Sequence, residues 1–172
     1  TEEVISLMPD WADAYAIQAI DAAEKAQNQW ERTPSIERAA YLTKIATGIR
    51  KREKELTDII VREGGKTQGL ANVEVLFTAD YMDYMAGWAR RYEGEIIPSD
   101  RPHESIFLFK RPIGVTTGIL PWNFPFFLVA RKAAPALITG NTIVIKPSQL
   151  TPENAYVFAQ IVEEAGLPAG AF

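Results

Sequence analysis

The sequence predicts an α/β protein, in which N-terminal helices precede a protruding β-hairpin and the first βαβα unit of a parallel sheet, in an incomplete domain. Apolar residues recur at helical spacing through most of residues 1–91. At Glu93-Gly94 the period changes to the alternation that is typical of strands. Residues 113–150 then read as strand, loop, apolar helix, turn and strand, and a unit of this spacing places its strands in parallel.

The chain begins with a predicted short strand and a long helix. The strand covers residues 4–7 and ends before Pro9. Asp10 is the expected N-cap of a helix over 11–30, because its carboxylate can accept a hydrogen bond from the first turn. The expected buried stripe of this helix is Ala12, Tyr15, Ala19, Ala23, Ala26 and Trp30.

Two further helices are predicted before the first glycine pair. One begins after Thr33-Pro34, where a proline is tolerated in the first turn. The charge run at 51–55 indicates a solvated face or a break, and the next helix ends at Gly64-Gly65. The expected buried stripe of the first of these helices is Ile36, Ala40, Leu42, Ile45, Ala46 and Ile49.

A long helix over 67–91 carries large side chains on one side. Their steps of three and four residues favour core packing. The alternative is that some of the rings wall a ligand pocket. The stripe consists of Leu70, Val73, Phe77, Tyr81, Tyr84, Trp88 and Tyr92.

Two short strands at 95–97 and 105–111 form the predicted hairpin. A two-stranded ribbon is marginal by itself, so a second chain or a missing strand is expected to cover it. The following unit contains a buried strand at 114–120, a buried helix that Pro135 is expected to kink, and a second strand ending at Lys146.

A last helix begins at the sequence Thr-Pro-Glu. Thr151 is its expected N-cap, and Gly166 is expected to end it. The sheet would need a third strand after Phe172.

Composition excludes several classes of function. Of 172 residues, 47% are hydrophobic and 23% are charged, and the net charge of −4 without a basic patch argues against nucleic acid. No apolar run approaches the ~18 residues that span a bilayer, and no signal-peptide pattern is present, so a cytoplasmic location is expected. There is no cysteine, and His103 is the single histidine, so no metal site is expected.

The loop Pro-Trp-Asn-Phe-Pro at 121–125 is the predicted functional site. It follows a buried strand, and ligands bind at the carboxyl ends of strands in open α/β sheets. Lys146 ends the next strand and therefore lies at the same edge. From the residues alone, Asn123 could serve chemistry or merely cap the helix that follows.

Several separated motifs resemble the aldehyde dehydrogenase family. They are the loop at 121–125, the runs GNTIVIKPS and TPENA, the run EGGK at 63–66, and AGLPAG at 165–170. The run FTADYMDYMAGWARRYEGEI is most similar to bacterial lactaldehyde/glycolaldehyde dehydrogenases. The resemblance implies a Rossmann-like sheet, with a helical part of the cofactor-binding domain at 1–91, an oligomerisation hairpin at 92–112, and the start of the NAD-binding domain at 113–172.

The resemblance also implies roles for single residues. Asn123 would be the oxyanion-hole amide, and Lys146 would hold the adenosine ribose. Gln149 replaces the glutamate of many NAD-preferring relatives, and a neutral amide does not repel a 2′-phosphate, so NAD is favoured while NADP stays open. The full set of implied cofactor contacts is Ile119, Leu120, Pro121, Trp122, Lys146, Ser148 and Gln149.

A small aldehyde is the implied substrate. Asn123, Phe127 and Arg131 follow one another at intervals of four, so they share one helix face. We hypothesise that Arg131 orients a polar hydroxyaldehyde while Phe124 and Phe127 wall the pocket. The alternative is that Arg131 forms a salt bridge at a domain seam.

The chain is expected to be an internal segment of a homo-oligomeric enzyme. The family's nucleophilic cysteine, glutamate base and glycine motif have no counterpart here, so the segment alone is expected to be inactive. Two other functions remain open: a non-catalytic nucleotide-binding or assembly module, and an acyl-phosphate or semialdehyde relative on the same fold.

Overall fold

The computed structural model describes residues 4–5, 7–8 and 13–172. Four helices come first: α1 (Asp13–Arg32), α2 (Ser35–Lys51), α3 (Glu53–Gly64) and α4 (Gln68–Ala86), which a short 3-10 helix at Gly87–Arg90 extends. The hairpin strands β1 (Glu95–Pro98) and β2 (Ser105–Leu108) follow. The last unit is β3 (Val115–Ile119), α5 (Pro125–Ile138), β4 (Thr142–Lys146) and α6 (Glu153–Glu164).

The predicted α/β class and the parallel pairing of the last unit are confirmed. β3 and β4 pair in parallel, with Val115 opposite Thr142 and Ile119 opposite Lys146. The two strands lie between α1 on one face and α5 on the other. Gly118 leaves room for the Ile145 side chain of β4, because a Cβ there would lie 2.7 Å from Ile145 Cδ1.

The helical layer is held together by small and aliphatic side chains. α4 packs against α2, α3 and α5, while α6 packs against α2, α3 and α5. Gly65 ends α3 in the left-handed conformation with φ 64, which confirms the predicted C-cap. Arg52 separates α2 from α3, which confirms a break within the charge run.

The predicted buried faces of α4 and α2 are wrong in part, although Leu42, Ile45, Ala46 and Ile49 of α2 are buried as predicted. The aromatic stripe of α4 only partly joins the core: Phe77 and Tyr84 are exposed, whereas Tyr81 and Trp88 pack against it. The buried face of α4 instead carries mostly compact residues, and such residues let neighbouring helices approach closely. On α2, Ile36 and Ala40 are exposed and Arg38 is buried in their place. The buried residues of α4 are Ala71, Glu74, Val75, Thr78, Ala79 and Met82.

The predicted start of the chain is only partly testable. Asp10 and Ala12 lie outside the described residues, and Val4, Ile5 and Leu7 are not in a strand. On α1, Tyr15 is exposed, whereas Ala23 and Trp30 are buried as predicted.

Thr151 does not cap α6. Its hydroxyl is buried without a hydrogen-bond partner among the described residues. The backbone N–H of Glu153 donates instead to the carboxylate of Glu63, at 2.9 Å, and Asn154 Nδ2 donates to the other oxygen at 3.2 Å. The cap is therefore supplied by another helix, α3.

The hairpin is antiparallel, with Glu95 opposite Leu108 and Pro98 opposite Ser105. β2 ends at Leu108, earlier than the predicted 111. All eight strand positions are exposed. The assignment of 1–91, 92–112 and 113–172 to separate domains stays a prediction.

Candidate active site

A cavity of about 360 Å³ opens at the start of α5. All four residues that the sequence assigned to catalysis and substrate binding line it, although they come from a loop and two turns of a helix. Sequence reasoning had weighed Val73 and Phe77 only as members of the α4 stripe, and it missed Glu74 and Leu128 altogether. The lining residues are Val73, Glu74, Phe77, Asn123, Phe124, Phe127, Leu128 and Arg131.

Aromatic rings form the wall between α4 and α5. The Phe77 and Phe127 ring centroids lie 4.7 Å apart, and Tyr81 meets Phe127 edge-on at 5.5 Å. One ring of the α4 stripe, that of Phe77, therefore lines a cavity, as in the alternative that the sequence left open. Burial raises the pKa of the Tyr81 hydroxyl, and the nearby Arg131 charge opposes that rise.

Asn123 presents a side-chain amide that forms no hydrogen bond within the described residues, and the residue is exposed. It does not cap α5, because the N-cap is Phe124 and makes no side-chain cap bond. The first-turn N–H groups of Phe126 and Phe127 donate to Glu74 Oε1, at 3.0 and 3.1 Å. The capping interpretation of Asn123 is therefore excluded.

The loop is held from beneath by an ion pair. Lys66 Nζ lies 2.5 Å from Glu74 Oε2 and donates to the backbone carbonyl of Asn123 at 2.9 Å. The same ammonium lies 4.0 Å from the centre of the Phe124 ring. The sequence offered two signals: Lys66 ends the EGGK run, and Glu74 is a charged residue within a stripe of apolar residues.

Arg131 is exposed at the cavity and forms no ion pair within the part of the chain that the structure describes. The alternative of a salt-bridged Arg131 therefore has no support among these residues. A guanidinium without a carboxylate partner is available to a polar ligand.

The carboxyl ends of β3 and β4 form a second surface beside the cavity. Among the described residues Lys146 Nζ donates only to the Pro147 carbonyl, at 3.2 Å, and Ser148 Oγ accepts from the Leu150 N–H at 3.2 Å. Leu120 is buried, so only its backbone can reach this surface, and its N–H is already bonded to the Lys146 carbonyl. Ile119, Pro121, Trp122 and Gln149 are exposed there.

The family model for the aldehyde dehydrogenase family matches residues 1–172. The chain belongs to the aldehyde dehydrogenase family. It is 69% identical to the lactaldehyde dehydrogenase of Escherichia coli over its whole length, covering 36% of that protein. A crystal structure of an Escherichia coli lactaldehyde dehydrogenase superposes with a TM-score of 0.99 over 100% of this chain and 36% of that chain.

A more distant relative is a dehydrogenase named for NADP. The D-glyceraldehyde dehydrogenase (NADP(+)) of Thermoplasma acidophilum is 43% identical over 152 residues, 88% of this chain and 31% of that protein. The chain thus spans about a third of the length of these aldehyde dehydrogenases. The predicted family and fold are confirmed by these matches.

The described residues include neither a candidate metal cluster nor a candidate membrane-spanning helix. No cluster of three or more histidine, cysteine or carboxylate side chains is arranged to hold a metal ion there. None of the helices in the described ranges is both long and apolar enough to cross a membrane.

Proposed function

We propose that this chain supplies one wall of the active site of an NAD(P)-dependent aldehyde dehydrogenase that oxidises a small hydroxyaldehyde to its carboxylic acid. The observation that carries the proposal is the amide of Asn123, which lines the cavity and has no hydrogen-bond partner among the described residues. It lies on the loop between β3 and α5, next to the strand ends that carry Lys146. A substrate in the cavity and a cofactor along the strand ends would therefore meet near this loop.

In the chemistry of this family a thiolate adds to the aldehyde carbon, and the carbonyl electron pair moves to oxygen. The task of Asn123 is to donate an N–H to that oxygen as its negative charge develops. A neutral amide suits the task, because it stabilises the charge without losing its own proton. The nucleophile must come from outside the 172 residues, which include no cysteine.

Nicotinamide dinucleotide, when bound, supplies the acceptor for the hydride that leaves the aldehyde carbon. The residues at the strand ends fit its adenosine half. The Lys146 ammonium has only its neighbour's carbonyl as partner among the described residues, so it is available to ribose hydroxyls. Exposed Trp122 and Ile119 offer apolar surface beside it. Neutral Gln149 would accept either dinucleotide.

The cavity favours a short substrate with a polar group beside the aldehyde. Phe124 and Phe127 supply apolar wall, and Arg131 supplies a cation with hydrogen-bond donors. The name of the Escherichia coli relative supports this substrate class, since lactaldehyde carries a hydroxyl next to its aldehyde carbon.

Replacement of the proposed oxyanion donor tests the function. In the full-length protein, Asn123→Ala should lower kcat about 10²- to 10³-fold, with little change in the KM for the dinucleotide. Asn28→Ala is the matched control, because Asn28 is exposed on α1 away from the cavity. A kcat for Asn123→Ala within twofold of the parent enzyme would rule out this role. The 172-residue chain by itself should produce no NADH from an aldehyde.

We further propose that the hairpin mediates homo-oligomerisation. Ile96, Phe107 and Leu108 are all exposed, at 75%, 57% and 48%. Exposed apolar strands of this kind need a covering partner. Replacing Phe107 by Lys should shift the full-length protein to a smaller species in sedimentation velocity, and an unchanged species would contradict the proposal.

A further inference from the structure

A buried ion pair lies directly beneath the loop that carries Asn123. Glu74 is buried in the middle of the buried face of α4, and its side chain has no exposure, while that of Lys66 has 13%. Lys66 itself lies between α3 and α4 and does not line the cavity. Lys66 can therefore influence the site without touching a ligand in the cavity.

Glu74 holds the first turn of α5. Its Oε1 accepts the N–H groups of both Phe126 and Phe127, which would otherwise lack partners at the start of a helix. A carboxylate at a helix N-terminus is also favoured by the helix dipole. Because a buried charge is costly without a partner, the Lys66 ammonium at Oε2 completes this arrangement.

Lys66 makes more contacts than the neutralisation of the Glu74 charge requires. Its ammonium also donates to the backbone carbonyl of Asn123 and lies over the ring of Phe124. The carbonyl carbon of Asn123 is bonded to the Cα that bears the cavity-facing amide. Fixing this carbonyl and the next ring holds the backbone of Asn123, and with it the direction of the Cα–Cβ bond from which the amide projects.

We propose that Lys66 is a positioning residue that holds Asn123 in place for oxyanion binding. The proposal rests on the function proposed above for Asn123. Misplacing a reacting group by about 1 Å can cost up to about 10²-fold in rate, so a hydrogen bond to the loop can matter without contacting the substrate. The competing explanation is that Lys66 only balances the charge of Glu74.

Two variants of the full-length protein separate these explanations. Lys66→Met removes the ammonium and leaves the Glu74 charge unpaired, so both stability and activity should fall. Adding Glu74→Gln removes that charge and keeps an acceptor oxygen for the two N–H groups of α5. The double variant should therefore regain a melting temperature near that of the parent, while kcat stays about tenfold or more below it. Lys54→Met, which breaks the exposed pair with Asp58, is the control and should change neither property.

The melting temperatures and kcat values of these variants distinguish the ways in which the proposal could be wrong. A double variant that recovers both stability and kcat would show that Lys66 only balances charge. In an Asn123→Ala background the double change should cost little further activity, because the amide being positioned is gone. A full additional loss there would overturn the role of Lys66 alone, whereas full activity of Asn123→Ala itself would overturn the function proposed for Asn123. In all variants that support the proposal, the KM for the dinucleotide should stay unchanged.

Discussion

Replacing Arg38 should strongly destabilise the fold. Its guanidinium is buried and forms no ion pair within the described residues. It donates instead to the carbonyls of Ile138, at 3.1 Å, and of Glu31, at 3.3 Å, with further bonds to the Thr33 carbonyl and the Tyr92 hydroxyl. Since α1 ends at Arg32 and α5 at Ile138, the cation lies at the negative ends of two helix dipoles.

The expected loss in the free energy of unfolding follows from these four hydrogen bonds. At about 1.5 kcal/mol for each bond to a charged donor, Arg38→Met loses about 6 kcal/mol gross. Removing the buried cation relieves its desolvation cost, and water can replace it at the partly exposed end of α1, so we expect a net loss of about 3 kcal/mol. At about 2 °C per kcal/mol, the melting temperature should fall by about 6 °C.

The assay is thermal unfolding of the full-length protein, followed by differential scanning fluorimetry. Arg38→Lys keeps the charge but cannot reach several acceptors with one ammonium, so an intermediate loss is expected. Arg91→Met controls for the lost charge, because Arg91 is exposed. A melting temperature of Arg38→Met within about 1 °C of the parent would show that these four hydrogen bonds do not stabilise the fold as expected.

The remaining predictions concern substrate, cofactor and pH. Arg131→Leu should lower kcat/KM for lactaldehyde about tenfold more than for a simple alkyl aldehyde, and Lys132→Leu should not; an unchanged preference would exclude Arg131 from substrate selection. Gln149→Glu should raise the KM for NADP at least about tenfold while NAD is affected little, because a carboxylate repels the 2′-phosphate; equal effects would contradict this. Burial raises the pKa of Glu63 above its ordinary value, so its contribution to stability is present below about pH 4.5 and is lost as pH rises through the raised pKa. The melting temperature of Glu63→Gln relative to the parent should therefore increase from pH 4.5 to pH 7, and a constant difference would contradict the assignment.

Local signals made most of the fold predictable. The break at Arg52, the glycine C-cap at Gly65 and the parallel unit from β3 to α6 depend on turn chemistry and hydrophobic period. These are properties of neighbouring residues, which a sequence displays directly. The loop of Asn123 was also predictable, since strand ends are where parallel sheets bind ligands.

The errors arose where distant residues decide the outcome. On α4 the size of the aromatic residues suggested the core, but compact residues such as Ala71 and Ala79 are buried there, while the Phe77 ring lines the cavity. Arginine is seldom buried, so Arg38 was not expected inside, although the nearby carbonyls of Glu31 and Thr33 and the distant carbonyl of Ile138 receive it. The approach of Ile138, a hundred residues along the chain, is not visible in any local pattern.

The two helices of the parallel unit, α5 and α6, are capped in the same way. Each helix that follows a strand of the parallel pair begins at a carboxylate from the helical layer: Glu74 for α5 and Glu63 for α6. The two carboxylates differ in their partners, since Glu74 faces the Lys66 ammonium whereas Glu63 faces Glu153, which adds to the rise in the Glu63 pKa. The start of α6, beside the strand end that carries Lys146, is therefore expected to lose stability as pH rises through the raised pKa of Glu63. The start of α5, which follows the loop of Asn123, is the one that carries a cation.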